Sequence, residues 1–269
     1  PSMFQQAGVE FVEPKSWEDM LALGEELKAK GVAPFWVCNQ EGYMGAWAIA
    51  ALGGGQLGAN AFTEMVLKNQ PINSPGLVEA YKAYADMYAR GLTNPDAGEL
   101  QNGEATSGFV QGRGAMTING AWSNAELLDA LGDDVGMFPI PTLASATEPG
   151  VLAGGPNLAV FVTNYAANKD AAFKLIKYLA EAKTIDLYVE LSQTEPSNHK
   201  DADASVITNR LLREQAERLK TTKTVYPFDN IMPQPVIDLF YRVNATTFTG
   251  QQTAEDAVAQ LQAEFDKQG

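Results

Sequence analysis

Gly114-Ala115-Met116-Thr117-Ile118-Asn119-Gly120-Ala121-Trp122-Ser123-Asn124 carries the most information about the fold of this chain. A β-prone run from Ala115 to Asn119 breaks at Asn119-Gly120, and a helix-forming stretch follows from Ala121. Strand, turn and helix in that order form the unit from which α/β domains are built. The junction also presents one indole, Trp122. Two readings of it stand side by side. One packs the ring in a core. The other offers its flat face to a ligand such as a pyranose, whose axial C–H groups lie well on an aromatic plane.

Working outward, the same alternation recurs. Ser16 with Asp19 three residues on reads as a capping box, followed by Met20, Leu23 and Leu27 at helical spacing and a stop at Gly31. Ala33 to Cys38 reads as a buried strand, and Glu41 to Leu52 as a helix carrying Trp47. Gly53-Gly54-Gly55 is expected to end that helix, and Gly53-x-Gly55-x-x-Gly58 to form a flexible loop. As a string it matches a dinucleotide fingerprint, but a helix and not a strand precedes it. Ser74-Pro75 opens the next helix and Gly91 closes it. A short helix is expected over 104–111, strands over 135–140 and 157–163, and a helix capped by Asn168. Further helices are expected near 184–192, 206–220 and 235–247, with a last one capped by Thr253 and Asp256. The architecture implied is α/β with a partly parallel sheet.

Composition removes several function classes. The 269 residues suffice for a large core in one or two domains. The formal net charge of −14 repels phosphate backbones, so nucleic acid is not an expected partner. The most apolar stretch, Met44 to Leu52, is too short to span a bilayer. One cysteine, Cys38, allows no internal disulfide and reads as a small core residue. The chain opens at Pro1, which reads as a processed, cut or partial polypeptide.

Catalytic patterns are sparse. The one histidine, His199, sits in a polar loop and cannot supply a His-rich metal site; neither metal nor cofactor is expected. There is no Gly-x-Ser-x-Gly turn. Asp129, Asp133 and Asp134 read as solvated acids near a helix end. Two distant carboxylates can still meet in space, so a glycosidase with paired acids stays open as an alternative.

Several segments, in one order, resemble the bacterial extracellular solute-binding proteins of sugar ABC transporters, the maltodextrin-binding type among them. Val12 to Asp19, Glu25 to Gly31, Asn39-Gln40-Glu41-Gly42-Tyr43, and above all Phe109-x-x-Gly112 through Trp122 carry the likeness. Gly154-Gly155 before Asn157, Ile231-Met232-Pro233, and the entry Gly250-Gln251-Gln252-Thr253 continue it. The resemblance implies a two-lobed, periplasmic-binding-protein-like α/β fold of type II, binding a neutral sugar in an inter-lobe cleft. It implies that much of the amino-terminal lobe lies outside this chain. Residues 1–154 and 204–269 then form the carboxy-terminal lobe, and 155–203 belong to the first. Val160, Phe161, Phe173, Ile176 and Leu179 would be left partly uncovered.

Position by position, the resemblance makes Trp122 and Tyr43 stacking aromatics, with Glu41 and Asn119 beside them. Phe240, or Tyr241 in its place, stands for a further stacking ring. Gly155 and Asn157 sit near the expected hinge, and Trp47 and Asp229 are lesser candidates. The implied partners are a carbohydrate and the membrane permease subunits of an importer. The implied location is periplasmic or extracellular, compatible with a lipid anchor, and the full-length protein is expected to be monomeric. A binding protein for a non-sugar solute is the remaining alternative.

Overall fold

The structure is a computed structural model and describes residues 1–155, 160–197 and 199–268. The chain divides into two compact units. The first comprises Pro1–Asn119, Gly136–Gly155 and Thr222–Gly269; the second comprises Gly120–Val135 and Pro156–Thr221.

The first unit is built on helices whose ends follow from local chemistry. Helix α1 spans Ser2–Ala7 and α2 spans Trp17–Ala29. At the head of α2 the Ser16 hydroxyl accepts from the Asp19 amide at 3.1 Å, and the Asp19 carboxylate accepts from the Ser16 amide at 3.0 Å. Two otherwise unpaired donors are satisfied reciprocally. Helix α3 is Tyr43–Leu57, α4 is Ala59–Leu67 and α5 is Pro75–Ala89. Ser74 caps α5, with Pro75 at its first position. Helix α6 covers Asn102–Val110, and after the second unit come α11, Gln234–Phe248, and α12, Ala254–Phe265.

Helix α3 is apolar on every side, the mark of a helix enclosed by others. It packs against α4, α5 and α11. The expected break at Gly53-Gly54-Gly55 does not occur, and the helix runs through all three. A Cβ at Gly53 would stand 2.7 Å from Phe62 Cε2, at Gly54 2.9 Å from Val225 Cγ1, and at Gly55 2.6 Å from Thr142 Cγ2. These glycines let neighbours approach the helix axis; they form neither a loop nor a phosphate cradle. Core burial compensates the helix propensity they forfeit.

Sheet structure is reduced. Strand β1, Leu152–Ala153, pairs in parallel with β2, Thr224–Val225, in the register Leu152↔Thr224 and Ala153↔Val225. The expected strand 33–38 contracts to parallel bridges from Phe35 to Thr93 and to Met116. Pro34 has no amide to donate, and the Val37 amide goes to Asn94 Oδ1 at 2.8 Å, so the ladder stops. No strand forms over 135–140. There the Val135 carbonyl accepts from the Arg210 guanidinium and not from a neighbouring strand.

The second unit contains α7, Asn124–Leu131, preceded by the 3₁₀ turn Ala121–Ser123, then α8, Lys169–Leu179, α9, Ala182–Ser192, and α10, Arg210–Leu219. It groups 120–135 and 204–221, both expected in the carboxy-terminal lobe, with the segment between Gly155 and 204, and 204–221 packs with 120–135. Asn209 Nδ2 donates to the Asn124 carbonyl at 3.1 Å, and Arg210 donates to the Gly132 carbonyl at 3.0 Å. Val189, Ile207 and Leu212 make a small core. No residue of α8 is buried, and Phe161, Tyr165, Phe173, Leu175, Tyr178 and Leu191 are exposed. Of the expected strand 157–163, residues 157–159 lie outside the described residues and 160–163 form none.

Candidate functional site

In the first unit the turn Asn39–Gly42 carries Glu41 and leads into Tyr43 at the start of α3. The Asn39 amide donates to the Ala97 carbonyl at 2.6 Å, and the Gln40 amide to the Leu100 carbonyl at 3.2 Å. Gly42 has φ +73° and lies against the backbone of α11: a Cβ there would be 2.1 Å from the Tyr241 carbonyl oxygen. Only glycine permits both the dihedral and the approach. Asn244, fully buried on α11, locks the turn from below. Its Nδ2 donates to the Gly42 carbonyl at 3.1 Å, its Oδ1 accepts from the Tyr81 hydroxyl at 2.6 Å, and its own carbonyl accepts from Asn39 Nδ2 at 3.2 Å.

Above this base stand Glu41, Tyr43 and Trp47. Glu41 is exposed and accepts from the Asn102 amide at the head of α6 at 3.3 Å. Tyr43 and Trp47 are half-buried and one helical turn apart, hence on one face of α3. Burial raises the Tyr43 phenol well above its ordinary value, helped by Cys38 and Glu41. Burial likewise pushes the Cys38 thiol up to about 11, opposed by a hydrogen bond from Asn102. This thiol is protonated and inert at neutral pH.

Asn119 lies beside this group. Its Oδ1 accepts from Asn102 Nδ2 at 3.2 Å, and its Nδ2 donates to Thr106 Oγ1 at 2.9 Å. These bonds tie it to α6. Asn102 was not singled out by its sequence; the one signal there is its place at the start of a helix.

From the α11 side, Tyr241 is half-buried and donates its hydroxyl to Asp229 Oδ2 at 2.9 Å. Asp229 lies in the 3₁₀ turn Phe228–Asn230. Its carboxyl is raised above the usual range by burial, opposed by the Tyr241 bond and by the amides of Asp229 and Asn230. The Tyr241 phenol is raised by burial and then by Asp229, with smaller pushes from Asp238 and Tyr43. Phe240 does not join the site. It is fully buried, 5.7 Å from the Phe228 ring, which stacks on Phe62 at 4.2 Å. Val236, Phe240 and Val243 form the inward stripe of α11, so the next residue round, Tyr241, is the one that reaches the edge.

Gly155, exposed, lies against Tyr226: a Cβ there would be 2.4 Å from Tyr226 Cε1. Tyr226, directly after β2, is a candidate that sequence reasoning did not find. Trp122 belongs to the second unit and is half-buried, its ring folded over Gly120, where a Cβ would be 2.1 Å from Trp122 Cζ3. A side chain at 120 would have to displace the indole. Asn157 lies outside the described residues.

His199 Nδ1 accepts from the Asp201 amide at 3.1 Å and thereby closes a turn. Among the described residues no three His, Cys, Asp or Glu side chains are grouped to hold a metal, and no helix is long and apolar enough to cross a membrane.

The family model of the bacterial extracellular solute-binding proteins matches residues 1–185. The chain belongs to that family. It is 25% identical over 198 residues to the multiple sugar-binding protein of Streptococcus mutans serotype c, covering 70% of this chain and 45% of that protein. It is 27% identical over 240 residues to the maltodextrin-binding protein MdxE of Bacillus subtilis, covering 83% of this chain and 52% of that protein. Both are named as binding proteins, not enzymes. The chain thus spans about half the length of the curated relatives it matches. A solved chitin oligosaccharide binding protein superposes with a TM-score of 0.82 at 20% identity, covering 99% of this chain and 67% of the other. The fold is therefore the α/β solute-binding type.

Proposed function

We propose that this solute-binding chain takes a neutral sugar or oligosaccharide and delivers it to the permease subunits of an ABC importer, outside the cytoplasmic membrane. The observation that carries this is the edge of the first unit. There Tyr43, Trp47 and Tyr241 are half-buried aromatics flanked by the carboxylates Glu41 and Asp229 and the amide Asn119. Half-exposed rings interleaved with acceptors suit a ligand with apolar C–H faces and hydroxyl rims. Trp122, in the second unit, is assigned a second stacking face, and Gly155 and Asn157 a place where ligand meets backbone. Multiple-sugar and maltodextrin relatives support the ligand class. Binding without chemistry is part of the reading.

The second unit, with its exposed Phe161, Phe173 and Leu191, is on the same reading part of a lobe that further polypeptide of this fold completes. The exposed apolar side chains, and coverage of 67% of the solved homologue, support it.

Calorimetric titration with maltotriose, raffinose and chitotriose tests the function, with hydrolysis followed in the same samples. At least one sugar is expected to bind and remain intact. Trp122→Ala and Tyr43→Ala should each weaken it about tenfold, the loss of about 1.4 kcal/mol expected from one stacking face. Unchanged affinity in both variants, or cleavage of the sugar, would overturn the reading.

A further inference from the structure

On the reading that Tyr241 borders the ligand, we propose that Asp229 is a positioning residue that commits the Tyr241 oxygen to accepting hydrogen bonds. The ligand group met there must then be a donor, a free hydroxyl and not an ether oxygen.

The argument is a count of protons. A phenol carries one proton and two lone pairs. The Tyr241 proton points to Asp229 Oδ2 at 2.9 Å. While the Asp229 carboxyl is ionised it can only accept, and the bond then runs from the phenol to Oδ2. What Tyr241 then offers outward is lone pairs alone. Asp229 is suited to holding one direction. Its turn is anchored by Phe228, fully buried between Phe62 and Phe240. Its Oδ1 is buried and accepts no hydrogen bond among the described residues. No cation among the described residues pairs with it; the charged or titratable groups around the Tyr241 phenol are Asp229, Asp238 and Tyr43. Beside the amides of its own turn, the carboxyl has one side-chain donor among the described residues, the Tyr241 hydroxyl.

Asp229→Asn changes the logic without changing the shape. A carboxamide can turn its NH₂ to the phenol oxygen, which frees the Tyr241 proton to point outward. Selectivity for a donor should then be lost. Tyr241→Phe removes the oxygen altogether and should abolish selectivity at that point whatever Asp229 does.

Two measurements test this. In the ligand-free chain, ¹³Cζ-tyrosine NMR should show the Tyr241 resonance titrating with the Asp229 carboxyl, and that titration should vanish in Asp229→Asn. In calorimetry, maltotriose is compared with analogues in which single hydroxyls are replaced by fluorine, which cannot donate. One replacement should cost about tenfold or more in the natural chain, less in Asp229→Asn and nothing extra in Tyr241→Phe. A Tyr241 resonance blind to acid, or the same fluorine penalties in all three proteins, overturns the proposal alone. A titrating Tyr241 with no binding of maltotriose, raffinose or chitotriose overturns the carbohydrate reading and the selectivity with it.

Discussion

Asn244→Ala should be among the most damaging single substitutions in the first unit, although it removes only a small polar group. Asn244 is fully buried, and its side chain joins helix α5, through the Tyr81 hydroxyl, to the turn before α3, through the Gly42 carbonyl. Truncation leaves a phenol and a carbonyl inside the core with nothing to bond. Each orphaned group costs about 1–3 kcal/mol, so a loss of about 2–6 kcal/mol is expected. Urea unfolding of the natural chain and the variant, at equal m, gives the number. Tyr81→Phe in the same background should recover part of the loss, because the phenol is then no longer orphaned. The turn also carries Glu41 and leads into Tyr43, so sugar affinity should fall alongside stability. A loss below about 1 kcal/mol, or a double variant as unstable as the sum of the singles, would refute the network argument.

The glycines of α3 supply a second test. Gly55→Ala should destabilise despite a gain of about 1 kcal/mol in helix propensity, because overpacking against Thr142, 2.6 Å from the new methyl, costs about 1–3 kcal/mol. Gly103→Ala in α6 meets nothing within 4 Å and should stabilise slightly; a higher melting temperature for Gly55→Ala than for Gly103→Ala would contradict the packing account. A third test concerns the second unit. Its exposed Phe161, Tyr165, Phe173 and Leu191 should make the isolated chain bind an apolar dye and self-associate as concentration rises. Replacing Phe161, Phe173 and Leu191 by serine should suppress both without lowering the unfolding midpoint, and unchanged dye binding would show that the face is already covered.

Helix ends were legible because they are decided within four residues. Ser16, Ser74, Asn168 and Thr253 each accept the amide hydrogen bond their spacing predicts, and Gly31 and Gly91 adopt positive φ just past their helices. Strands were less legible. An apolar run such as 33–38 announces burial but not how many partners lie beside it, and here the Asn94 side chain ends the pairing. The three glycines of α3 were misread for a related reason. Glycine usually stops a helix through its own entropy, whereas the closeness of Phe62, Val225 and Thr142 is a property of other segments.

The candidate site divides the same way. Glu41, Tyr43 and Trp122 could be named as candidates because short stretches around each resemble the family's motifs. Whether Phe240 or Tyr241 reaches the edge depended on which stripe of α11 faces Phe228. The Asp229–Tyr241 bond, the Asn244 lock and Tyr226 beside Gly155 depended on contacts between elements far apart in the chain. By itself the sequence determined family, the caps at Ser16, Ser74, Asn168 and Thr253, and the kinds of side chain available for binding, all of which rest on short-range order. Tertiary structure alone decided which of those side chains are buried, which way their protons point and where glycine is indispensable, because burial and hydrogen-bond direction arise only when distant segments pack.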